Sequence, residues 1–322
     1  MIALSGRMGG KGGNARMSAS FATILARPRL DGGPQLTPLA AALGAELRGL
    51  DLGSGVTSEA ATTVLEALHR YGVVVVRDQR LTPQEQLDFM ERLGPVKKSS
   101  YSRANSFCVP GYPDMMVISN IVEDGRNIGL MDAGAMWHAD GTHMAHPDMY
   151  TALYALEVPQ RAGESLGDTL FTSTAEAYDA LPDALKKRVA GRSAIHSFAH
   201  HIEKKRRLGD LRRPPLTDAQ KAELPDVEHP IVAVHPVTGR KNLFVTEGHT
   251  ARIAGLPPAE SDELLEELWA HIRRPEFIYR HSWRVGDLLI WDNRATQHLA
   301  IFDYGDLPRK MHRVETLGPV PA

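Results

Sequence analysis

Cysteine is nearly absent: Cys108 is the only one in 322 residues. An intrachain disulfide is therefore excluded, as is a zinc or iron–sulfur site built on thiolates, and the chain suits a reducing cytoplasm. Excess charge of either sign is missing too. A formal net charge of −2 gives no bulk attraction to nucleic acid or to an anionic membrane surface, so any anion must be held by a local cluster of cations. Nor does any apolar run approach the ~18–20 residues that a membrane-spanning helix needs. Residues 1–30 are rich in Gly, Ser and Arg, with apolar stretches too short for a signal-peptide core. They read as a disordered tail, with Met8 or Met17 as alternative starts. Residues 31–322 read as a single domain of ordinary composition, 43% hydrophobic and 24% charged.

Local patterns divide that domain. Leu36 to Leu52 reads as a strand pair turning around Gly44 and Gly49. Thr57 to Tyr71 has helical spacing, with Leu65 and Leu68 on one face and Thr57 or Ser58 as N-cap. Val73 to Val76 is an unbroken β-branched run and hence a buried strand. Thr82, Pro83 and Glu85 spell a capping box for a helix ending near Leu93. Beyond Met115 the chain is mainly strand: Met116–Ser119, Tyr150–Leu156, Thr169–Thr172, Ile231–His235, Leu243–Val245, Phe277–Trp283, Asp287–Trp291 and Lys310–Leu317. Helices are expected at Ser173–Ala190 and Glu260–Ile272. There are no internal repeats and no regular βα alternation, which argues against a Rossmann sheet. The fold class is α+β but mainly β, a sandwich or jelly roll with flanking helices. His200–His229, with Lys204 to Arg207 and Pro214-Pro215, reads as a surface loop or as a lid over a site.

Three features carry chemistry. In Trp137-His138-Ala139-Asp140, an extended backbone would turn His138 and Asp140 to one face, offering an imidazole and a carboxylate to one metal ion. His298, after the turn-prone Asp292-Asn293, supplies a second imidazole. Two His and one carboxylate suit ferrous iron with three positions left open. Arg309, Met311 and Arg313 alternate along the last strand, so both arginines share a face; inside a barrel they would need anionic partners. Each feature alone has a plain structural reading: a chance H-x-D, a packed histidine, an edge strand with both guanidiniums in water. His143 and His146 read as pocket wall or surface. Glu247 and His249 read as the mouth of a site or as packing.

Taken together, Leu43-Gly44-Ala45-Glu46, Gly49-Leu50-Asp51-Leu52, Arg77-Asp78-Gln79, Trp137-His138-Ala139-Asp140, Gly167-Asp168-Thr169, Leu243 to Gly248, Trp291 to His298 and Met311-His312-Arg313 resemble the taurine dioxygenase / 2,4-dichlorophenoxyacetate dioxygenase family. The resemblance spans about Leu36 to Val320. It implies a double-stranded β-helix (cupin-like jelly-roll) core and an enzyme that uses Fe(II), 2-oxoglutarate and O2 to hydroxylate a small acidic molecule, with release of succinate and CO2. By position it makes His138, Asp140 and His298 the iron ligands. Thr169 and Arg309 would bind 2-oxoglutarate, and Arg313 would lie near the acid group of the substrate. Family members commonly form dimers or tetramers. Strict taurine specificity does not follow, because the taurine enzyme's polar substrate contacts have no counterpart around Lys97–Tyr101 or Ala133–Met136. The alternative from another class is a catalytically silent metal-binding jelly roll that senses a ligand or assembles with partners.

Overall fold

Every side chain of Val73–Val76 is buried, because both faces of that strand are covered. In this computed structural model, which describes residues 33–322 except 54, 56, 99–106, 211 and 213, the strand lies third in an eight-stranded sheet. The order is Gln35–Pro38, Ala45–Arg48, Val73–Val76, Leu288–Asp292, Asp148–Glu157, Lys310–Leu317, Tyr112–Ser119 and Cys108–Val109. Ala45–Arg48 runs parallel to Val73–Val76; the other pairings are antiparallel. The expected tail, residues 1–30, lies outside the described residues.

Two helices cover one face of this sheet. Thr57 accepts a hydrogen bond from the Ala60 N–H at 3.1 Å and starts Ser58–Tyr71. Thr82 and Glu85 form the expected capping box at the start of Pro83–Leu93. Val64, Leu68, Phe89 and Met90 from these helices meet Val74, Tyr154, Ile290 and Val314 from the sheet. Burying each large side chain contributes about 1.5–3 kcal/mol. The opposite face carries Val73, Val75, Leu153, Leu289 and Met311, which pack on Phe171, Tyr279 and Trp283. Those three come from or adjoin a second sheet, Ile278–His281, Thr169–Ser173 and Thr296–Ala300. Two sheets thus face each other. The period of two along Lys310–Leu317 sends Met311, Arg313 and Glu315 into the space between them and Val314 toward the helices.

A third cluster joins Pro258–Ile272 to two shorter helices and the strands Ser193–His196 and Thr250–Ile253, the first of which also pairs with Val227–Pro230. The helix expected over Ser173–Ala190 is two helices, Thr174–Asp179 and Asp183–Val189. Pro182 lies at the break, where a residue without an N–H cannot continue the ladder. The reading of His200–His229 as a loop is corrected more fully. The segment holds most of the helix Phe198–Arg207, the helix Asp218–Glu223 and the strand Val227–Pro230. Ser197 accepts from the His200 N–H at 3.1 Å, and the run Lys204 to Arg207 fills the last helical turn, where cations meet the exposed carbonyls. Among the described residues no helix is long and apolar enough to cross a membrane.

Candidate active site

His138 and His298 are 160 residues apart and directly paired. The His138 N–H donates to the His298 carbonyl at 3.1 Å, and the His298 N–H donates back at 2.8 Å. Residues paired in this way project to one side, and the ring centroids lie 4.1 Å apart. Asp140, two residues on, joins them: its Oδ1 is 3.5 Å from Nε2 of His138 and 3.8 Å from Nε2 of His298. One donor atom from each of the three lies within 4.8 Å of the others. Nδ1 of His138 is 2.8 Å from the Met136 carbonyl, which makes that nitrogen the N–H and leaves Nε2 as the inward lone pair.

Asp140 is held by a ring of hydrogen bonds. Its Oδ2 accepts from the Thr151 hydroxyl at 2.7 Å, and that oxygen accepts from Nδ2 of Asn293 at 2.9 Å. Oδ1 of Asn293 accepts from the Asp140 N–H at 3.0 Å and from the Trp291 indole at 3.0 Å. Burial pushes the Asp140 carboxyl up, but Arg313, His298 and His138 outweigh it and hold the group well below the usual carboxylate range. Burial, with His138 beside it, holds His298 well below the usual imidazole range. An ionised carboxylate and a neutral imidazole are the protonation states that bind a divalent ion. The donor set fits ferrous iron, leaving three positions of an octahedron open.

Arg309 is 6% exposed. Its N–H donates to Oδ1 of Asn120 at 2.9 Å, and its carbonyl accepts from the Ser119 hydroxyl at 2.8 Å. The guanidinium lies 5.9 Å from the ring centres of both Trp283 and Tyr304. Among the described residues no carboxylate forms an ion pair with it, and burial pushes its pKa down. Gly167, at φ 77°, gives it room: a Cβ there would lie 3.1 Å from Nε of Arg309. A cleft of about 260 Å³ runs past Ser119, Ala133 and Tyr304 to this side chain. Thr169, 2% exposed, opens its strand, and its hydroxyl oxygen accepts from the Trp283 indole at 3.1 Å. An anionic end group would complete this pocket.

Arg313 sits differently. Its Nη2 donates to Oδ1 of Asp140 at 2.7 Å and also to Glu315. Glu315 lies 3.5 Å from Nζ of Lys97, which is 2.7 Å from Oδ1 of Asp148. Burial and the neighbouring Glu315 push the Asp148 carboxyl up. On the other side of the triad, His143 packs on Phe198 at 5.0 Å and on His249 at 4.9 Å between ring centres. His249 stacks on His201 at 4.6 Å and lies 6.1 Å from His138. His146 is exposed, and Glu247 pairs with Arg273 at 3.0 Å. The structural members that the sequence reading passed over are Thr151, Trp283, Glu315, Phe198 and His201. Of the hydrogen-bond ring, only Thr151 lies outside the motifs that the sequence displays.

A β-rich scaffold with two imidazoles and one carboxylate converging on an open metal position defines a non-haem metal oxygenase. The sequence profile of the "Taurine catabolism dioxygenase TauD, TfdA family" matches residues 35–314, and the chain belongs to that family. It is 33% identical over 271 residues to the alpha-ketoglutarate-dependent 2,4-dichlorophenoxyacetate dioxygenase of Cupriavidus pinatubonensis, covering 81% of this chain and 90% of the relative. Identity to the alpha-ketoglutarate-dependent sulfate ester dioxygenase of Pseudomonas putida is 33% over 296 residues, covering 88% and 89%. The solved structure of AAD-2 in complex with Mn(II) and N-oxalylglycine superposes with a TM-score of 0.73 at 28% identity, covering 89% of this chain and 98% of that one. The chain is thus an enzyme, a dioxygenase dependent on Fe(II), 2-oxoglutarate and O2, and the catalytically silent alternative is set aside.

Proposed function

We propose that this enzyme hydroxylates a small organic acid, carboxylate or sulfonate, with release of succinate and CO2. The observation that carries the reading is the convergence of His138, Asp140 and His298, with Arg313 bonded to Asp140 and Arg309 buried four residues before it. In this reading the two facing sheets are the jelly-roll core, and the triad holds the iron. His138, Asp140 and His298 would hold the iron, which when bound would supply the oxidative chemistry with 2-oxoglutarate and O2 as co-substrates.

The protein's own work is placement. The ring through Thr151 and Asn293 fixes the Asp140 carboxylate, and Phe171 and Trp291, 5.8 and 4.7 Å from His298 by ring centres, seal its inner side. Arg309 takes the distal carboxylate of 2-oxoglutarate by a charge-assisted contact. Because the Thr169 oxygen accepts from Trp283, its own O–H is left to donate to that same carboxylate. Arg313, beside Asp140, meets the acid group of the substrate. The relatives' names support an acidic substrate, since dichlorophenoxyacetate and sulfate esters both carry anionic oxygens. A complete carboxylate ligand at Asp140 favours hydroxylation over halogenation. The single cysteine fits a cytoplasmic enzyme. The test is succinate formation screened over paired acids and their neutral amides. An acid is expected to stimulate turnover well above its amide; equal rates throughout would remove Arg313 from substrate recognition.

A further inference from the structure

The last strand presents Arg313 and Glu315 to the same inner space, and one guanidinium nitrogen, Nη2 of Arg313, bonds both Asp140 Oδ1 at 2.7 Å and Glu315. Charged groups face Glu315 from each element packed against it. Arg313 lies on its own strand. Lys97, 3.5 Å away, comes from the segment after Pro83–Leu93. Asp148, gripped by Lys97 at 2.7 Å, comes from the neighbouring strand. Asp140 lies beyond Arg313. Two cations therefore stand among three carboxyl groups, and none of the five is more than partly exposed. An acid approaching Arg313 meets a guanidinium whose field is offset from a few ångströms away by Glu315, and such offsets are large where water is scarce.

We propose that Glu315 is a specificity-determining residue that acts through Arg313: it fixes the guanidinium beside Asp140 and tunes how strongly the site prefers an acid to a neutral molecule. This rests on the reading of Arg313 as the contact for the substrate's acid group. Glu315→Gln keeps the shape and one acceptor oxygen but removes the charge; Glu315→Ala removes both. The probes are phenoxyacetate and phenoxyacetamide, titrated calorimetrically and anaerobically into the Fe(II)- and 2-oxoglutarate-loaded protein. For E315Q the acid is expected to bind about tenfold tighter than to the unaltered enzyme, with the amide within about twofold. E315A is expected to shift the acid-to-amide preference in the same direction, so the idea stays testable if one variant folds poorly. Under air, KM for the acid should fall with kcat little changed. An unchanged preference in both variants, or acid and amide weakened alike, would show a purely structural role and overturn the proposal. Binding of neither probe to any of the proteins would overturn it as well. Failure of the functional reading is separate, showing as no 2-oxoglutarate binding and no succinate from the unaltered enzyme.

Discussion

Arg309, just before the strand Lys310–Leu317, and Arg313 within it meet opposite surroundings. Arg309 is ringed by Trp283 and Tyr304, whereas Arg313 is already bonded to Asp140 and Glu315. Replacing Arg309 should therefore cost more in co-substrate binding. Arg309→Ala is expected to weaken 2-oxoglutarate by roughly 2–5 kcal/mol, as for loss of one partner of a buried charge pair. Calorimetric titration checks it, and an unchanged affinity would place the anchor elsewhere. Asp140→Ala is expected to abolish substrate-coupled succinate formation while the melting transition persists; undiminished turnover would take Asp140 out of the ligand set. These residues were legible because H-x-D and an alternating Arg pair leave a mark in local spacing. Thr151 and Glu315 leave none: what makes them matter is a partner brought close only by the fold, Thr151 to Asp140 eleven residues earlier and Glu315 to Lys97 in the segment after Pro83–Leu93.

At the scale of elements, the helix Phe198–Arg207 shows how a local signal was misread. Four consecutive basic residues and a nearby Pro-Pro suggest a solvated loop, but the N-cap at Ser197 and cations in the last turn are equally the marks of a short helix. This helix carries Phe198 and His201 to the ring cluster beside His138. It is tied to the segment before the triad by the ion pair of Lys205 with Asp132, both nearly buried. Removing Lys205 takes its cation away from both Asp132 and Asp210, the latter 3.0 Å away. Lys205→Met is thus expected to speed amide exchange at 198–207 by about tenfold or more, read by hydrogen–deuterium exchange. Exchange as slow as in the unaltered protein would mean that the ion pair does not hold the helix. The helices at Ser58 and Pro83 were read correctly because their caps and stripes are complete within the sequence of each. The order of the eight strands was not readable, since pairing between distant segments has no local pattern.

For the whole molecule, buried histidines tie stability to pH. Burial, with His229 beside it, lowers His196 from 6.5 to about 3, and burial lowers His312 from 6.5 to about 4. In the unfolded chain both would titrate near 6.5. Their contribution is complete above that value and is lost as pH falls from 6.5 toward the folded values, because the unfolded state then takes up protons that the folded state refuses. His196 alone should remove about 1–2 kcal/mol between pH 6.5 and 5. Urea unfolding across that range checks this, and His196→Phe should flatten the slope; a slope unaffected by the substitution would contradict it.

The architecture as a whole exists, in this account, to bring two distant histidines and one aspartate around a single ferrous ion next to a cation awaiting a carboxylate. The most direct measurement is an anaerobic titration of Fe(II) into protein saturated with 2-oxoglutarate, followed by the visible charge-transfer absorption of the chelate. One equivalent should saturate the band in the unaltered protein, and His298→Ala should give none under the same conditions. A full band at unchanged stoichiometry in His298→Ala, or no band at all in the well-folded unaltered protein, would contradict the account.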